Sequence, residues 1–518
     1  MDFEKLLEKV GEIGFVEETT YPIAVVNGLP NAKLHEVIVF ENGQKGEVFL
    51  LEREHIQVFL FSTDAPQVGS RVTRTDKFVS IGVGKGLLGS IIDPLGSPIL
   101  ESKLYQKPTE ERLIDHATLK LQDRARIKVP FITGVTLVDM MIPLGKGQRQ
   151  LVMGDRKTGK TGFLLSTIKN QVDQGAIAIY AAIGRKKSDI KKIQEFFDKE
   201  NIRDKTIIIA STPFDSPSLI YITPYSAMTI AEYFRDQGQD VVIILDDLST
   251  HAKFYREVSL LAKRFPGRDA YPGDIFYTHA RLIERAGNFK HQSGRDVSIT
   301  ALPTVEIVEG DFTGYLATNL MGMTDGHIFF DSDAFYQGRR PAINISLSVT
   351  RVGRQTQSPV LGTINRELNS LLTLYDKMQS LSHFGAELRD AARNVLETGD
   401  MIYKFFEQSQ NVALPLPVQL VFFSLLWLKP LDNPLVDDVA LYRGNLLKAY
   451  QASNGSKKYF EDLVQTKTFN ELLANIAKQQ DQILALCGLQ KPTKGSSKIP
   501  QQATVQVPQP VAQGASKQ

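Results

Sequence analysis

The sequence predicts a multidomain chain: an N-terminal β-barrel, a central α/β P-loop domain built on a parallel sheet, and a C-terminal α-helical domain. Three observations carry that expectation. Short β-rich runs divided by glycine turns occupy residues 11–74, and several such runs at near-regular spacing suit a small closed or nearly closed barrel. From 75 to 357, continuous apolar runs alternate with helical patterns, as strands buried on both faces of an α/β sheet require. From 358 to 487 the strand pattern stops and helical periodicity takes over. A chain of 518 residues is too long for one core and should hold two to four domains.

Taken in order, Phe3, Leu6, Leu7 and Val10 fall at helical spacing, so residues 1–10 are expected to form a short amphipathic helix. The barrel candidates are 23–26, 37–40, 48–51 and 58–61, with Asn27-Gly28 and Asn42-Gly43 as turns; a flat sheet would use the same pattern. Runs at 177–180, 206–209 and 241–245 are the parallel strands. Helices are expected around 363–382, 386–408, 418–428, 437–451, 456–464 and 468–486. Residues 488–518 hold Pro, Gln, Ser, Lys and Thr with almost no large apolar side chains, so a disordered tail is expected. No internal repeat is evident.

Sixty basic side chains against 58 acidic ones leave a net charge of +2, which argues against nucleic-acid binding by bulk charge. A single cysteine, Cys487, excludes an internal disulfide and fits a reducing compartment. The first residues carry acids and lack a long apolar core, unlike a signal peptide. The most apolar segment, 418–428, spans 11 residues, whereas a membrane span needs about 20; a buried helix is expected there. A cytosolic protein, able to dock on a membrane complex, fits these facts.

The chemistry concentrates in Gly154-Asp155-Arg156-Lys157-Thr158-Gly159-Lys160-Thr161, which follows Leu151-Val152-Met153 and precedes Phe163-Leu164-Leu165. Strand, glycine loop and helix in that order form a P-loop. Its backbone N–H groups and helix dipole would cradle a polyphosphate. Lys160 would reach the β- and γ-phosphates, and the Thr161 hydroxyl would ligate Mg²⁺. The run 241–245 ends in Asp246-Asp247, where a Walker-B carboxylate holding the metal's water shell belongs; Asp246 is the candidate. Hydrolysis also needs a group to polarise water. In hexameric relatives a glutamate ends the strand after the P-loop helix, but here that strand runs into Gly184-Arg185-Lys186-Lys187. Arginine stays protonated and cannot act as a base. The site is therefore expected to bind MgATP and cleave it poorly, unless another acid such as Asp247 does the work.

Beyond the glycine loop stand Leu245-Asp246-Asp247-Leu248-Ser249, the stretch from Pro266-Gly267-Arg268-Asp269 through Tyr277, Arg281-Leu282-Ile283-Glu284-Arg285-Ala286, Arg340-Pro341-Ala342-Ile343-Asn344 and Ser348-Val349-Thr350-Arg351-Val352-Gly353. Together, from about residue 10 to the 430s, they resemble the alpha subunit of the rotary F-type ATP synthase. Beta subunits carry a Gly-Gly-Ala-Gly-type loop and the catalytic glutamate, both absent here. The resemblance implies a β-barrel crown, a RecA-like α/β domain and a helical domain. It further implies an alternating hexamer with a catalytic beta-type subunit around a gamma-type shaft, held peripherally on the cytoplasmic face of the cell membrane. The nucleotide, ATP or ADP with Mg²⁺, would sit in a non-catalytic site, with Phe335, Arg340, Pro341, Gln408 and Gln410 near the adenine. Phe335 as plain core and the glutamines as solvated helix residues are the alternatives. Arg351 resembles the arginine finger that reaches the γ-phosphate held by beta; the alternative is an interface salt bridge to a beta carboxylate.

This chain departs from the family at Lys157 and Arg185, where most alpha subunits have glutamine; two added cations near the phosphates are expected to tighten polyphosphate binding and slow exchange. The short segment before the barrel puts docking on a delta-type stator in doubt. With the polar tail, it suggests a paralogue fixed to another partner, a hydrolysis-driven motor. Two other classes share the core. A rho-type RNA translocase would need basic and aromatic residues on its barrel, yet 11–74 is mixed in charge; a self-sufficient export-type ATPase would turn over ATP alone.

Overall fold

The computed structural model describes residues 3–99, 104–383, 390–409, 412–428 and 438–489, with backbone alone at 380–383, 390 and 391. The expected tail lies outside the described residues from 490 onward. The amphipathic helix Phe3–Val10 turns its buried Phe3 toward the barrel strand Arg71–Phe78. Arg71 fastens it, 5.3 Å from the Phe3 ring centroid and 2.9 Å from Glu4.

Six strands, Gly14–Thr20, Ile23–Asn27, Glu36–Phe40, Lys45–Leu51, His55–Leu60 and Arg71–Phe78, form a closed barrel in the order first, second, fifth, fourth, third, sixth. The last pairs back on the first, Val72 opposite Gly14, which decides against a flat sheet. The third and fourth strands are joined through Gly43 at φ 84°, a left-handed conformation open to glycine without a Cβ clash. Inward residues such as Val16, Val26, Ile38, Phe40, Val58 and Leu60 fill the interior.

Among the described residues the central sheet has nine strands. Across it run Val349–Thr350, Gly326–Phe330, Gln150–Gly154, Asp296–Glu306, Val241–Asp246, Ile177–Ala182, Thr206–Ala210 and Ile91–Ile92, with Gly287–Lys290 pairing Asp296–Glu306. All neighbours are parallel except Val349–Thr350 and Gly287–Lys290. Every residue of Gln150–Gly154, Ile177–Ala182, Thr206–Ala210 and Val241–Asp246 is buried, so these strands read as unbroken apolar runs. Alternate side chains go to opposite faces: Leu151, Ile179 and Ile243 into one core, Val152, Tyr180 and Ile244 into the other. The second core continues without a break into the C-terminal helices through Ile364, Phe405 and Phe422. That continuity fixes the helical domain behind the nucleotide loop.

The helices there are Pro359–His383, Asp390–Phe406, Leu416–Leu428, Val439–Gln451, Asn454–Val464, Phe469–Lys478 and Gln480–Cys487. Leu416–Leu428 is buried on all sides from Val418 to Leu426, and no described helix is long and apolar enough to cross a membrane. The single helix expected at 468–486 is two. Gln479 leaves helical geometry at φ −109°, ψ 15°, and its amide oxygen accepts from the Tyr459 hydroxyl at 2.7 Å. The break lets the second piece turn Ile483 and Cys487 fully inward.

Candidate nucleotide-binding site

The buried strand Gln150–Gly154 delivers the glycine loop to the carboxyl end of the sheet, and the 14-residue helix Lys160–Asp173 leaves it. Gly154 packs so closely on the next strand that a Cβ would sit 2.5 Å from the Phe330 carbonyl oxygen. Gly159, at φ 102°, caps the helix in the left-handed region. Asp155 points away from the cleft, accepting from the Gly310 N–H and the Ser332 hydroxyl, so it anchors the loop. The Lys160 ammonium donates to the carbonyls of Gly154 at 2.7 Å and Asp155 at 2.6 Å. Burial lowers its pKa, against the pull of Glu306, Asp246 and Asp247.

Two hollows meet at Gly159 and Gly162. One is walled by Val135, Phe163, Phe330, Pro341, Gln408 and Val412 and is apolar. The other is a charged cleft bounded by Arg156, Lys157, Lys160, Thr161, Arg185, Asp246 and Glu306. An apolar hollow meeting a charged cleft across a glycine loop is the layout expected of a nucleotide site.

The adenine candidates divide. Arg340, Pro341 and Gln408 line the apolar hollow. Phe335 does not: its half-buried ring lies beneath the Arg340 guanidinium, 3.6 Å from it, and positions that arginine. Gln408 is a buried brace. Its oxygen accepts from the Thr136 N–H and hydroxyl at 3.1 Å, and its nitrogen donates to the carbonyls of Gly134 and Val412. Gln410 lies outside the described residues.

At the far end of the cleft, Asp246 is 5% exposed, with its carboxylate held by the Tyr180 hydroxyl at 2.6 Å, the Thr304 hydroxyl at 3.0 Å and Arg185. Arg185 also stands 3.0 Å from Asp247 and 3.7 Å from Glu306. The sequence placed this arginine toward the phosphates; here its guanidinium faces carboxylates, because three of them converge where the strands end. Burial alone would weaken its charge, but Asp246 and Asp247 hold its pKa above the ordinary value. Asp247 is 1% exposed, caps the helix Leu248–Leu261 through the Thr250 N–H at 2.6 Å, and is absent from the cleft wall. Burial raises its pKa, with Arg185 opposing. Glu306 escaped the sequence reading. It ends the strand beside that of Asp246, accepts from the Arg156 guanidinium at 2.8 Å and lines the cleft. An apolar run ending in an acid, as at Asp246, was the available signal, but Pro303 within it argues against a central strand.

Arg351 occupies the other end of the sheet. Thr350 lies opposite Gly326, which lies opposite Gln150 at the start of the P-loop strand. At about 3.3 Å per residue that strand alone puts roughly 13 Å between Arg351 and its own glycine loop. Arg351 is exposed. The turn carrying it is fixed behind: the Thr350 hydroxyl donates to the Pro143 carbonyl at 2.8 Å, and at Gly353 a Cβ would fall 1.7 Å from that same oxygen.

Comparison with known proteins agrees with this layout. Residues 134–350 match the model of the ATP synthase alpha/beta family nucleotide-binding domain, and 357–482 match that of the C-terminal domain of ATP synthase alpha and beta subunits. The ATP synthase subunit alpha of Acholeplasma laidlawii is 38% identical over 471 residues, 90% of this chain and 92% of the relative. That of Sulfurovum sp. is 38% identical over 448 residues, covering 86% and 88%, and that of Clostridium acetobutylicum 40% over 420, covering 81% and 83%. These matches favour neither the RNA translocase nor the export ATPase. With its barrel, parallel-sheet nucleotide domain and helical domain in this order, the chain belongs to the family of F-type ATP synthase alpha subunits.

Proposed function

We propose that this chain binds MgATP or MgADP without hydrolysing it and supplies Arg351 to the catalytic site of a beta-type neighbour in an alternating hexamer around a gamma-type shaft. One observation carries the reading: where a catalytic glutamate would stand, Arg185 is fastened to Asp246 and Asp247. Glu306 on the cleft wall faces Arg156 and Arg185, and Asp189, the other acid there, lies on the helix Lys187–Lys199 with Lys192 3.7 Å away. Asp246 and Glu306 are thus already engaged by cations, which disfavours either as the group that takes a proton from water.

Thr161 and Asp246 lie on one cleft wall with Lys160, a donor set of hard oxygens that fits Mg²⁺. Thr161 would hold the ion directly and Asp246 through its water shell. The bound metal would neutralise phosphate charge. The protein's own part is positional: the loop's N–H groups and Lys160 hold the phosphates, and the apolar hollow excludes water around the base. Arg351, too far from its own loop, suits a neighbour's γ-phosphate, where a fixed guanidinium stabilises the phosphoryl-transfer transition state by about 10³–10⁵ in rate. The complex would hold the chain peripherally on the cytoplasmic membrane face, with no nucleic acid among its partners. The test is turnover by the full-length chain alone and mixed with its beta-type partner. The lone chain is expected to bind ATP and release no phosphate, and the mixture to hydrolyse it; robust phosphate release by the lone chain, stimulated by RNA or not, rejects the reading.

A further inference from the structure

Asp246, Asp247 and Glu306 bring three negative charges to the ends of adjacent strands. Arg185 sits among all three, Arg156 pairs with Glu306 at 2.8 Å, and Lys157, Lys160 and Lys186 line the same cleft. Arg185 is the cation ion-paired with both Asp246 and Asp247 before any ligand arrives. A neutral side chain at 185 would leave those two carboxylates without that ion pair, and they would repel a polyphosphate unless a divalent cation accompanied it. Arg185 is also a built feature. Its backbone N–H donates to the Ser211 carbonyl at 2.9 Å, and its side chain remains 25% exposed on the cleft wall. It competes, moreover, for the metal's partner: Arg185, Thr304 and Tyr180 already occupy the Asp246 carboxylate.

We propose that Arg185 is a resident cation that takes over part of the charge neutralisation Mg²⁺ would provide, so that this site holds a nucleoside di- or triphosphate with little dependence on divalent metal. The proposal rests on reading the cleft as a nucleotide site. It makes Arg185 a residue that sets which form of the ligand, metal-bound or metal-free, the site accepts.

The test titrates the full-length chain, Arg185→Gln and Arg185→Lys with trinitrophenyl-ATP in excess Mg²⁺ and in EDTA. The native protein is expected to change its Kd by less than about 10-fold between the two buffers, since a fixed positive charge that already offsets the carboxylates at the cleft end does part of the metal's work. Arg185→Gln is expected to lose about 10- to 100-fold in EDTA while binding well in Mg²⁺; Arg185→Lys, which keeps the charge, stays near native. Because the binding cycle closes, Mn²⁺ should bind ATP held by the native protein within that same small factor of its affinity for free ATP, read by electron paramagnetic resonance. Native binding in Mg²⁺ alone overturns the proposal and leaves the nucleotide site intact, and equal metal dependence in native and Arg185→Gln overturns it too. No binding in either buffer rejects the nucleotide site, and the proposal with it. The native titration decides even if a variant fails to fold.

Discussion

Replacing Arg351 by alanine separates a guanidinium that works on a neighbour from one that holds its own chain. Arg351 is exposed, and its side chain makes a single hydrogen bond among the described residues, a long one of 3.4 Å to the Thr324 carbonyl. The turn is kept by Thr350 and Gly353 instead. Arg351→Ala should therefore change folding stability by no more than about 0.5 kcal/mol. Turnover of the hexamer rebuilt with a beta-type subunit should fall about 10³- to 10⁵-fold, some 4–7 kcal/mol of barrier. Arg285 supplies the contrast. Its side chain is 1% exposed and bonds Glu232, the Ile114 carbonyl and the Thr229 hydroxyl. Arg285→Ala strands a buried carboxylate and should cost about 3–5 kcal/mol of stability. The assay pairs phosphate release by the size-selected hexamer with thermal melts of each variant. Unchanged turnover in Arg351→Ala would refute the finger, as would a loss matched by failure to assemble.

Burial would raise the Glu232 carboxyl, yet His116 and Arg285 hold it down to about 2. The folded value lies below the unfolded one, so its contribution of about 3 kcal/mol is complete above roughly pH 4.5 and fades as pH falls toward 2; denaturant midpoints across that range should show the loss, and Glu232→Gln should flatten it. Gln408→Ala leaves the Thr136 N–H and the Gly134 carbonyl without their partner, so melts should show about 1–3 kcal/mol of destabilisation and equilibrium binding a weaker ATP complex. Purification of the native complex should return beta-type and gamma-type subunits; ordinary delta- and b-type stator subunits in it would contradict the specialised-motor expectation.

The glycine loop was legible because its residues are contiguous and its flanks declare strand and helix. The strands at 177–182 and 241–246 were legible because burial on both faces leaves no polar alternation to confuse them. What escaped depends on neighbours brought together by the sheet order. Glu306 reaches the cleft because its strand inserts between those of the P-loop and Asp246, which no local pattern encodes. That Arg185 turns to Asp246 follows from the same convergence. Resemblance alone placed Phe335 near the adenine; the structure sets its ring under Arg340, which lines the hollow, a contact no local pattern encodes. The Gln479 break rests on a contact with Tyr459, twenty residues earlier in the sequence.

The most direct measurement loads γ-labelled ATP onto the alpha-type site of the assembled complex and follows its chemical form while the beta-type sites run through many turnovers. A label that stays on uncleaved ATP throughout is the expected result; phosphate released from that site at the pace of turnover would contradict a nucleotide held but not consumed.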